Sequence, residues 1–311
     1  MERFIALFKM LFTCGLFLVL VGFVILRQDE ITTIMNSYLL KNNALVTLNE
    51  KNEYYRDYDF MFIQNTDNFS PSSYQDLLNI YYTVINSGQT DFTFYCPSDY
   101  ASCLDHVKII ANDQSLLSDI NNYVHPYNGF AHIETEFDTL GRVHITLVKS
   151  YTPDDIVLIN QKIDELYPQL VFDYNSYEQN IRNIHDYIIN STRYDSERSE
   201  RGIVNYRSDI AYGPLFEGYA ICGGYSDLME LFLEKMGIRS YKVSSDNHVW
   251  NALELGGQWY HIDLTWDDPV ASDGRNYLDH SYFLLNSNQL RNMERTQHSY
   301  NINHYLELKD A

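Results

Sequence analysis

The chain has 311 residues, of which 45% are hydrophobic, so it is long enough for one large domain or two ordinary ones with a buried core. It carries 22 lysines and arginines against 42 aspartates and glutamates, which gives a formal net charge of −20. Because nucleic-acid phosphates and anionic lipid surfaces repel such a chain, the composition argues against a nucleic-acid-binding protein.

The N-terminal region contains an apolar segment that predicts a membrane anchor. Residues 10–26, MLFTCGLFLVLVGFVIL, carry no charge, and with the apolar residues before Lys9 they can span a bilayer of about 30 Å. No small-residue cleavage motif precedes the polar segment, which favours an uncleaved anchor over a signal peptide. Arg3 and Lys9 precede the apolar run, whereas acidic residues follow Arg27, a bias that places the N-terminus in the cytoplasm. We therefore predict a transmembrane anchor over residues 1–27, with the remaining domains outside the cell.

The next part of the chain is predicted to contain a polar stalk and then a small α+β module. The stalk covers residues 28–71 and the module residues 72–151, and no motif in the module identifies its role. The residue patterns predict a helix at 72–88, strands at 91–96 and 106–110, a helix at 113–124, and a hairpin formed by 131–137 and 142–151.

Two of the four cysteines, Cys96 and Cys103, lie close together in a short loop. An exported domain can keep a disulfide there, and the predicted anchor favours that interpretation over two free thiols. Cys14 lies within the predicted anchor, where we interpret it as a lipid-facing residue. The chain has no CxxC pair and no zinc-ligand spacing.

A second domain is predicted over residues 152–311, with its boundary near Pro153. The apolar spacing predicts helices in DDIVLINQKIDELY and SYEQNIRNIHDYIINS, and Ser176 and Gln179 form a capping-box pattern at the start of the second. His185 lies beside the apolar stripe of that helix, and we interpret it as a structural residue.

Cys222 stands at the start of a helical pattern in FEGYAICGGYSDLMELFLEKMGI, residues 216–238. Gly237 is a typical C-terminal stop for this helix. Unpaired backbone N–H groups and the helix dipole favour an anion at the helix start, which suits a thiolate nucleophile. Gly223 and Gly224 are expected to leave room for a substrate chain beside the sulfur. The alternative is a buried cysteine without a chemical role, which is the commoner situation.

Two predicted strands after this helix supply a base and its partner. The segment SSDNHVWNALELGGQWYHIDLTWDDP predicts a hairpin that turns at glycines 256 and 257, so the numbers of facing residues sum to 513. That register makes His248 and Asp263 diagonal neighbours, roughly 7 Å apart. We therefore predict a triad in which Cys222 attacks, His248 acts as base and then as acid, and Asp263 fixes the imidazole tautomer. His261 is the rival base, but it lies deeper in the hairpin.

The surroundings of the triad are open to several interpretations. The backbone N–H of Cys222 is a natural oxyanion donor, and Tyr212 and Tyr219 are candidates for a second donor, although core tyrosines would give the same pattern. A metal site is an alternative, although nothing in this segment repeats a metal-ligand spacing, and its ligands would be His248, His261, Asp263 and Asp267. We therefore predict no metal and no cofactor.

The order of these motifs resembles the transglutaminase-like superfamily, whose bacterial members have a papain-like fold. The resemblance covers residues 176–285 and rests on Gly-Tyr after the cysteine, Met-Gly-Ile at the helix end, His-Val-Trp-Asn from His248 and Asp-Leu-Thr-Trp from Asp263. Gly223 and Ser226 depart from residues that are common in the family, but neither departure removes a catalytic group. The resemblance implies an α+β fold in which the cysteine-bearing helix packs on an antiparallel sheet, here preceded by the small module and the anchor.

The triad and the resemblance together predict a membrane-anchored, extracellular thiol acyl-transfer enzyme that acts through a thioester on protein or cell-wall peptide substrates. A cysteine peptidase or amidase and a protein transglutaminase both fit, because water or an amine can release the thioester. The alternatives are a catalytically idle module of the same fold that binds peptides or partner proteins, and an envelope-assembly factor that acts through the small module and the stalk.

Overall fold

The computed structural model describes residues 46–48, 50–172, 176–270, 277–293 and 296–309, and in the N-terminal region residues 15–17, 19, 21–28, 30–32 and 34. The predicted anchor over residues 1–27, including Cys14, lies in large part outside the described residues. Of the helices that are described, none combines the length and the apolar character needed to cross a membrane.

The N-terminal half combines three helices with a three-stranded antiparallel sheet of order β1-β3-β2. Its first helix begins at a capping box, in which Ser73 and Asp76 each accept from the other's backbone N–H. Its elements are α1 (Tyr74–Asn86), β1 (Asp91–Tyr95), α2 (Cys103–Asn112), α3 (Gln114–Asn121), a 3₁₀ turn (Pro126–Asn128), β2 (Phe130–Phe137) and β3 (Arg142–Lys149).

One predicted strand of this half is a helix. Residues 106–110, predicted as a strand, belong to α2. The physical reason is that Cys103, Val107 and Ile110 are buried at intervals of four and then three residues, which is the spacing of one helix face. Cys103 forms a disulfide with Cys96 at a Cα–Cα distance of 5.7 Å, and this confirms the predicted bond.

The C-terminal half contains the cysteine-bearing helix and a second antiparallel sheet of order β6-β7-β8, while β4 and β5 form a short parallel pair. The described residues thus have a mixed α+β structure, as predicted. The elements are α4 (Pro153–Leu170), α5 (Tyr177–Ser191), β4 (Arg193–Tyr194), α6 (Ser196–Arg201), a π-helical turn (Gly213–Glu217), β5 (Tyr219–Ala220), α7 (Cys222–Lys235), β6 (Ser240–Ser244), β7 (Val249–Leu255), β8 (Gln258–Ile262), α8 (Leu264–Asp267), α9 (Ser287–Met293) and a 3₁₀ turn (Leu306–Leu308).

Helix α7 packs on strands β6 and β7 and buries every residue from 224 to 233. Its first turn also contacts another stretch of backbone. A Cβ atom added to Gly224 would lie 2.4 Å from the carbonyl oxygen of Ser208, and one added to Gly223 would lie 2.6 Å from that of Asp209. The space beside both glycines, which was expected to admit a substrate, is therefore filled by the chain itself.

The hydrophobic core crosses the predicted domain boundary. One buried cluster joins Phe60 and Ile145 of the first half with Tyr241 and Trp250 of the second. Residues 50–71, which the sequence predicts to be part of a polar stalk, pack into this cluster. The boundary predicted near residue 152 therefore runs through a shared core.

Arg56 links this N-terminal segment to helix α7. Its Nη2 atom lies 2.7 Å from Glu230 Oε1 and 3.2 Å from Glu234 Oε2, and the side chains of Arg56 and Glu230 are 1% and 0% exposed. Its Nη1 atom donates to the carbonyl oxygens of Tyr123 and Ser240, at 2.9 and 3.1 Å. Burial raises the pKa of Glu230 to about 6 against the opposing charge of Arg56.

Candidate active site

Cys222 is the first residue of α7, and only Ile221 separates it from strand β5. None of the described side chains caps this helix end, because the N-cap residue is Ile221, which has no polar side-chain atom. The N–H groups of the first turn and the helix dipole therefore favour a negative charge beside Cys222. Among the described cysteines, Cys222 carries the free thiol, and it is partly exposed.

The hairpin of β7 and β8 has the predicted register. Asn251 pairs with Ile262 and Ala252 pairs with His261, so the numbers of facing residues sum to 513. The two turn glycines have φ angles of 60° and 81°, which glycine adopts without steric cost. Because side chains alternate along a strand, this register decides which groups reach the end of α7.

Asp263 lies where the chain leaves the sheet. Strand β8 ends at Ile262, and Asp263 becomes the N-cap of α8, so it is not the strand residue that the sequence predicts. Its Oδ1 atom accepts from the backbone N–H groups of Thr265 and Trp266, at 2.9 and 3.3 Å. Its Oδ2 atom lies 2.5 Å from Nε2 of His248. The predicted contact forms, but at a strand-to-helix junction.

His248 contacts both other members of the predicted triad. Burial lowers its pKa, but the charge and the hydrogen bond of Asp263, with a further hydrogen bond to the Cys222 side chain, raise the pKa of His248 to about 10. The imidazole is therefore protonated at neutral pH, and its positive charge favours a thiolate. Burial also acts against ionisation of Asp263, but its histidine partners hold the pKa of that carboxyl well below its usual range. The structure thus brings Cys222, His248 and Asp263 together.

His261, the alternative base, contacts Trp250 and Ser287 through its two ring nitrogens. Its Nδ1 atom accepts from the Trp250 indole N–H at 3.0 Å, so its proton lies on Nε2, which faces Ser287 Oγ at 3.0 Å. Ser287 in turn donates to the carbonyl oxygen of Leu308 at 2.9 Å. Burial lowers the pKa of His261 to about 3, so the ring is neutral. This geometry favours His248 as the base.

His298 is a residue of the site that the sequence did not reveal. Its Nε2 atom lies 2.8 Å from Asp263 Oδ2, the same oxygen that contacts His248. Its ring stacks on Tyr282 at a centroid distance of 5.2 Å and meets Trp250 at 4.8 Å. Because His298 lies outside the regular elements and 35 residues after Asp263, no periodic pattern could mark it.

We expect His298 to act as a positioning residue for Asp263. His298→Phe should slow alkylation of Cys222 about tenfold, because a hydrogen bond to a charged group is worth roughly 1.5–3 kcal/mol. When the pH is lowered, the alkylation rate of the variant should begin to fall at a higher pH than that of the unaltered chain. The reason is that Asp263 loses one of the hydrogen bonds that lower its pKa. His298→Gln, which can keep a donor, is the matched control. If His298→Phe matches the unaltered chain in rate and pH profile, as His298→Gln should by keeping a donor, His298 does not position Asp263.

The two tyrosines considered as oxyanion donors contact other aromatic rings. Tyr219 stacks on Tyr206 with a centroid distance of 4.0 Å and an interplanar angle of 6°. Tyr212 packs on Phe216 at 4.7 Å. These contacts are typical of packing residues. Of the predicted oxyanion donors, the backbone N–H of Cys222 therefore remains, and it lies at the start of α7.

Tyr194 is a second residue that sequence reasoning missed. Burial raises the pKa of Tyr194, its hydrogen bond with Ser199 opposes the rise, and the negative charges of Cys222 and Asp263 add to it. The hydroxyl donates to Ser199 Oγ at 2.9 Å. Tyr194 pairs with Ala220, just before Cys222, in a parallel strand pair of two residues each, too short to give a sequence signal.

Asp267 and Asp268, which follow Trp266 in the sequence, are both buried. Asp268 accepts a hydrogen bond from the Tyr225 hydroxyl, and burial raises the pKa of Asp268 to about 6. Asp267 and His261 belong to networks separate from the triad, so the alternative metal site does not assemble as a group of four. Within the described residues, the ligand atoms of the two histidines on Asp263 and of Asp263 itself lie within 4.8 Å of one another, a set that could hold an ion. The absence of a cofactor stays a prediction.

No family model and no curated protein matches the chain. Among solved structures, the chain is similar to a TGase, with 16% identity and a TM-score of 0.35 over 47% of this chain and 47% of that one. It is also similar to a proposed cysteine protease from Cytophaga hutchinsonii, with 16% identity and a TM-score of 0.28 over 43% of this chain and 61% of that one. The chain thus spans about half the length of the first structure and less than two thirds of the second. The functional conclusion therefore rests on the residues and the geometry of the site.

Proposed function

We propose that the protein is a transglutaminase-like thiol acyl-transfer enzyme. The observation that carries this proposal is the position of His248, whose ring contacts both the buried carboxylate of Asp263 and the side chain of Cys222. The cysteine begins a helix, where the dipole adds to the attraction for a thiolate. Nucleophile, base and orienting group therefore occur together in the order that this chemistry requires.

The proposed reaction begins with attack of the Cys222 thiolate on a carboxamide or peptide carbonyl. The backbone N–H groups at the start of α7 stabilise the oxyanion of the tetrahedral intermediate. His248 gives its proton to the leaving amine as the C–N bond breaks, and a thioester remains. Water or a primary amine then attacks the thioester while His248 takes up the proton, which restores the thiolate–imidazolium pair and releases an acid or a new amide.

The proposed location is the outer face of a membrane, with protein or cell-wall peptides as substrates. The apolar residues 10–26 support the anchor, and the disulfide between Cys96 and Cys103 supports an oxidising compartment. An enzyme held at that surface would meet peptides of the envelope or of neighbouring proteins.

The first test measures the rate of Cys222 alkylation by iodoacetamide against pH, with mass spectrometry of the Cys222 peptide. An ordinary thiol, with a pKa near 8.5, slows roughly 100-fold between about pH 8 and about pH 6. We expect a much flatter profile here, because His248 stays protonated below its raised pKa. His248→Ala should restore the steep profile.

The control for this test is His132→Ala, since His132 is exposed on β2 and should leave the profile unchanged. If Cys222 in the unaltered chain reacts as an ordinary thiol or does not react, the enzyme proposal is wrong. The same fold would then serve as an idle binding or assembly module. Given a reactive thiol, a glutamine peptide supplied with and without an alkyl amine distinguishes transamidation from hydrolysis.

A further inference from the structure

A second cluster of histidines and aspartates lies outside the triad. His185 and Asp186 on α5 meet His280, which follows α8. Asp186 Oδ1 lies 2.9 Å from His185 Nδ1 and 2.7 Å from His280 Nε2, and one ligand atom from each of the three side chains lies within 4.8 Å of the others. The side chain of His185 is 0% exposed, whereas those of Asp186 and His280 are 31% and 34% exposed. The cluster is therefore anchored in the core and open to solvent on one side.

A buried carboxylate fixes the orientation of His185. Its Nε2 atom lies 3.1 Å from Asp267 Oδ2, and both side chains are fully buried. Asp267 is itself held by the backbone N–H of Tyr282, 2.8 Å from Oδ1. Histidines that ligate metals almost always donate their second N–H to a carboxylate, a carbonyl or water, and the free nitrogen then binds the ion. Here the nitrogen left to face Asp186 and His280 is Nδ1.

We propose that His185 Nδ1, the Asp186 carboxylate and His280 Nε2 bind a divalent transition-metal ion such as Zn²⁺, with water as the remaining ligand. Two imidazoles and one carboxylate suit Zn²⁺, which takes nitrogen and oxygen ligands in tetrahedral geometry. The ion takes the place of the hydrogen bonds that Asp186 Oδ1 makes with His185 Nδ1 and His280 Nε2. Both nitrogens must be free of a proton to bind it, so binding weakens as the pH falls.

The ligand atoms need to move only slightly to accept the ion. Bonds of about 2.0–2.2 Å place tetrahedral ligand atoms roughly 3.4 Å apart. The present separations of 2.7 and 2.9 Å therefore lengthen by about 0.7 and about 0.5 Å. Asp186 and His280 can supply this movement because they are partly exposed, while His185 stays fixed against Phe283, at a centroid distance of 5.3 Å.

An ion at this position has a structural role beside the active site. It joins α5 to the segment after α8, and α8 supplies Asp267 as the carboxylate behind His185. Asp263 is the N-cap of helix α8, so the ion holds the turn that positions the carboxylate of the triad.

The test is a metal titration of the full chain carrying Cys222→Ala, which removes the thiol as a competing ligand. After treatment with EDTA and buffer exchange, Zn²⁺ binding is followed by calorimetry in two buffers of different ionisation enthalpy, and Co²⁺ binding by visible absorption. We expect one ion per chain, and the difference between the two buffers gives the number of protons that the ligands release. His280→Gln should weaken binding by about 100-fold and Asp267→Asn by about tenfold, whereas the exposed His132→Gln should leave it unchanged.

Equal affinity of the unaltered and His280→Gln chains would overturn the proposal, and so would the absence of binding. Loss of binding in His298→Gln but not in His280→Gln would place the ion on the triad carboxylate and would also overturn it. His280 is the most exposed member of the cluster, so its replacement is the least disruptive, and a urea unfolding midpoint for each variant separates lost ligation from lost folding.

Discussion

Asp263→Asn is expected to slow acyl transfer by about 10,000-fold while the chain stays folded. The amide oxygen can still accept from the N–H groups that start α8, so the cap survives. The amide lacks the negative charge that keeps His248 protonated, and its NH₂ group can turn toward the ring nitrogen and favour the wrong tautomer. His298 loses the same charged partner. The variant therefore removes charge and orientation from the base together.

The measurement is the rate of amine release from a glutamine peptide, with Cys222 alkylation near neutral pH as a second readout that needs no substrate. Asp268→Asn is the matched control, because Asp268 lies in the same segment, is buried, and contacts Tyr225 rather than the triad. A rate for Asp263→Asn within tenfold of the unaltered chain would exclude Asp263 from the mechanism.

Arg56→Met is expected to destabilise the protein by roughly 3–5 kcal/mol. The substitution leaves Glu230 fully buried without its main cationic partner. Glu230→Gln should cost a similar amount by leaving Arg56 in excess, whereas the double variant Arg56→Met/Glu230→Gln should regain part of the loss. Urea unfolding at neutral pH measures all three free energies.

The pH dependence of this loss has a definite sign. Burial already raises the pKa of Glu230, and removal of Arg56 takes away the charge that opposes this rise. An acid whose pKa is higher in the folded than in the unfolded state favours folding when it is protonated. The destabilisation by Arg56→Met should therefore be smaller at about pH 5 than at about pH 8.

The exposed pair Lys162–Glu165 is the control for the buried pair. Its nitrogen and oxygen lie 3.0 Å apart, but its side chains are 30% and 61% exposed. Lys162→Met should change the free energy of unfolding by no more than about 0.5 kcal/mol. Equal losses from Arg56→Met and Lys162→Met would show that burial does not set the strength of the Arg56 pair.

Much of the candidate site follows from local patterns in the sequence. The periodicity after Cys222 predicts α7, and the two glycines predict the turn between β7 and β8. Once the turn is placed, the alternation of side chains sets the register and brings His248 toward Asp263. These features depend on neighbours in sequence, so a single chain reveals them.

The parts that the sequence did not predict depend on contacts between distant residues. His298 reaches Asp263 from a segment without regular structure, and Arg56 reaches Glu230 across 174 positions. The strand predicted over 106–110 is a helix. Its apolar residues fit both the strand and the helix spacing, and only the burial in the folded protein distinguishes the two. Local patterns carry no information about which distant side chain will meet a buried carboxylate.

The two carboxylate oxygens of Asp263 make different contacts. Oδ1 caps helix α8, and Oδ2 contacts His248 and His298. A local opening of that single helical turn would release the carboxylate while the rest of the core stayed intact. Such an opening would remove the proposed activity before the protein unfolds globally. The position of the Asp263 carboxylate would then report whether the first turn of α8 is folded.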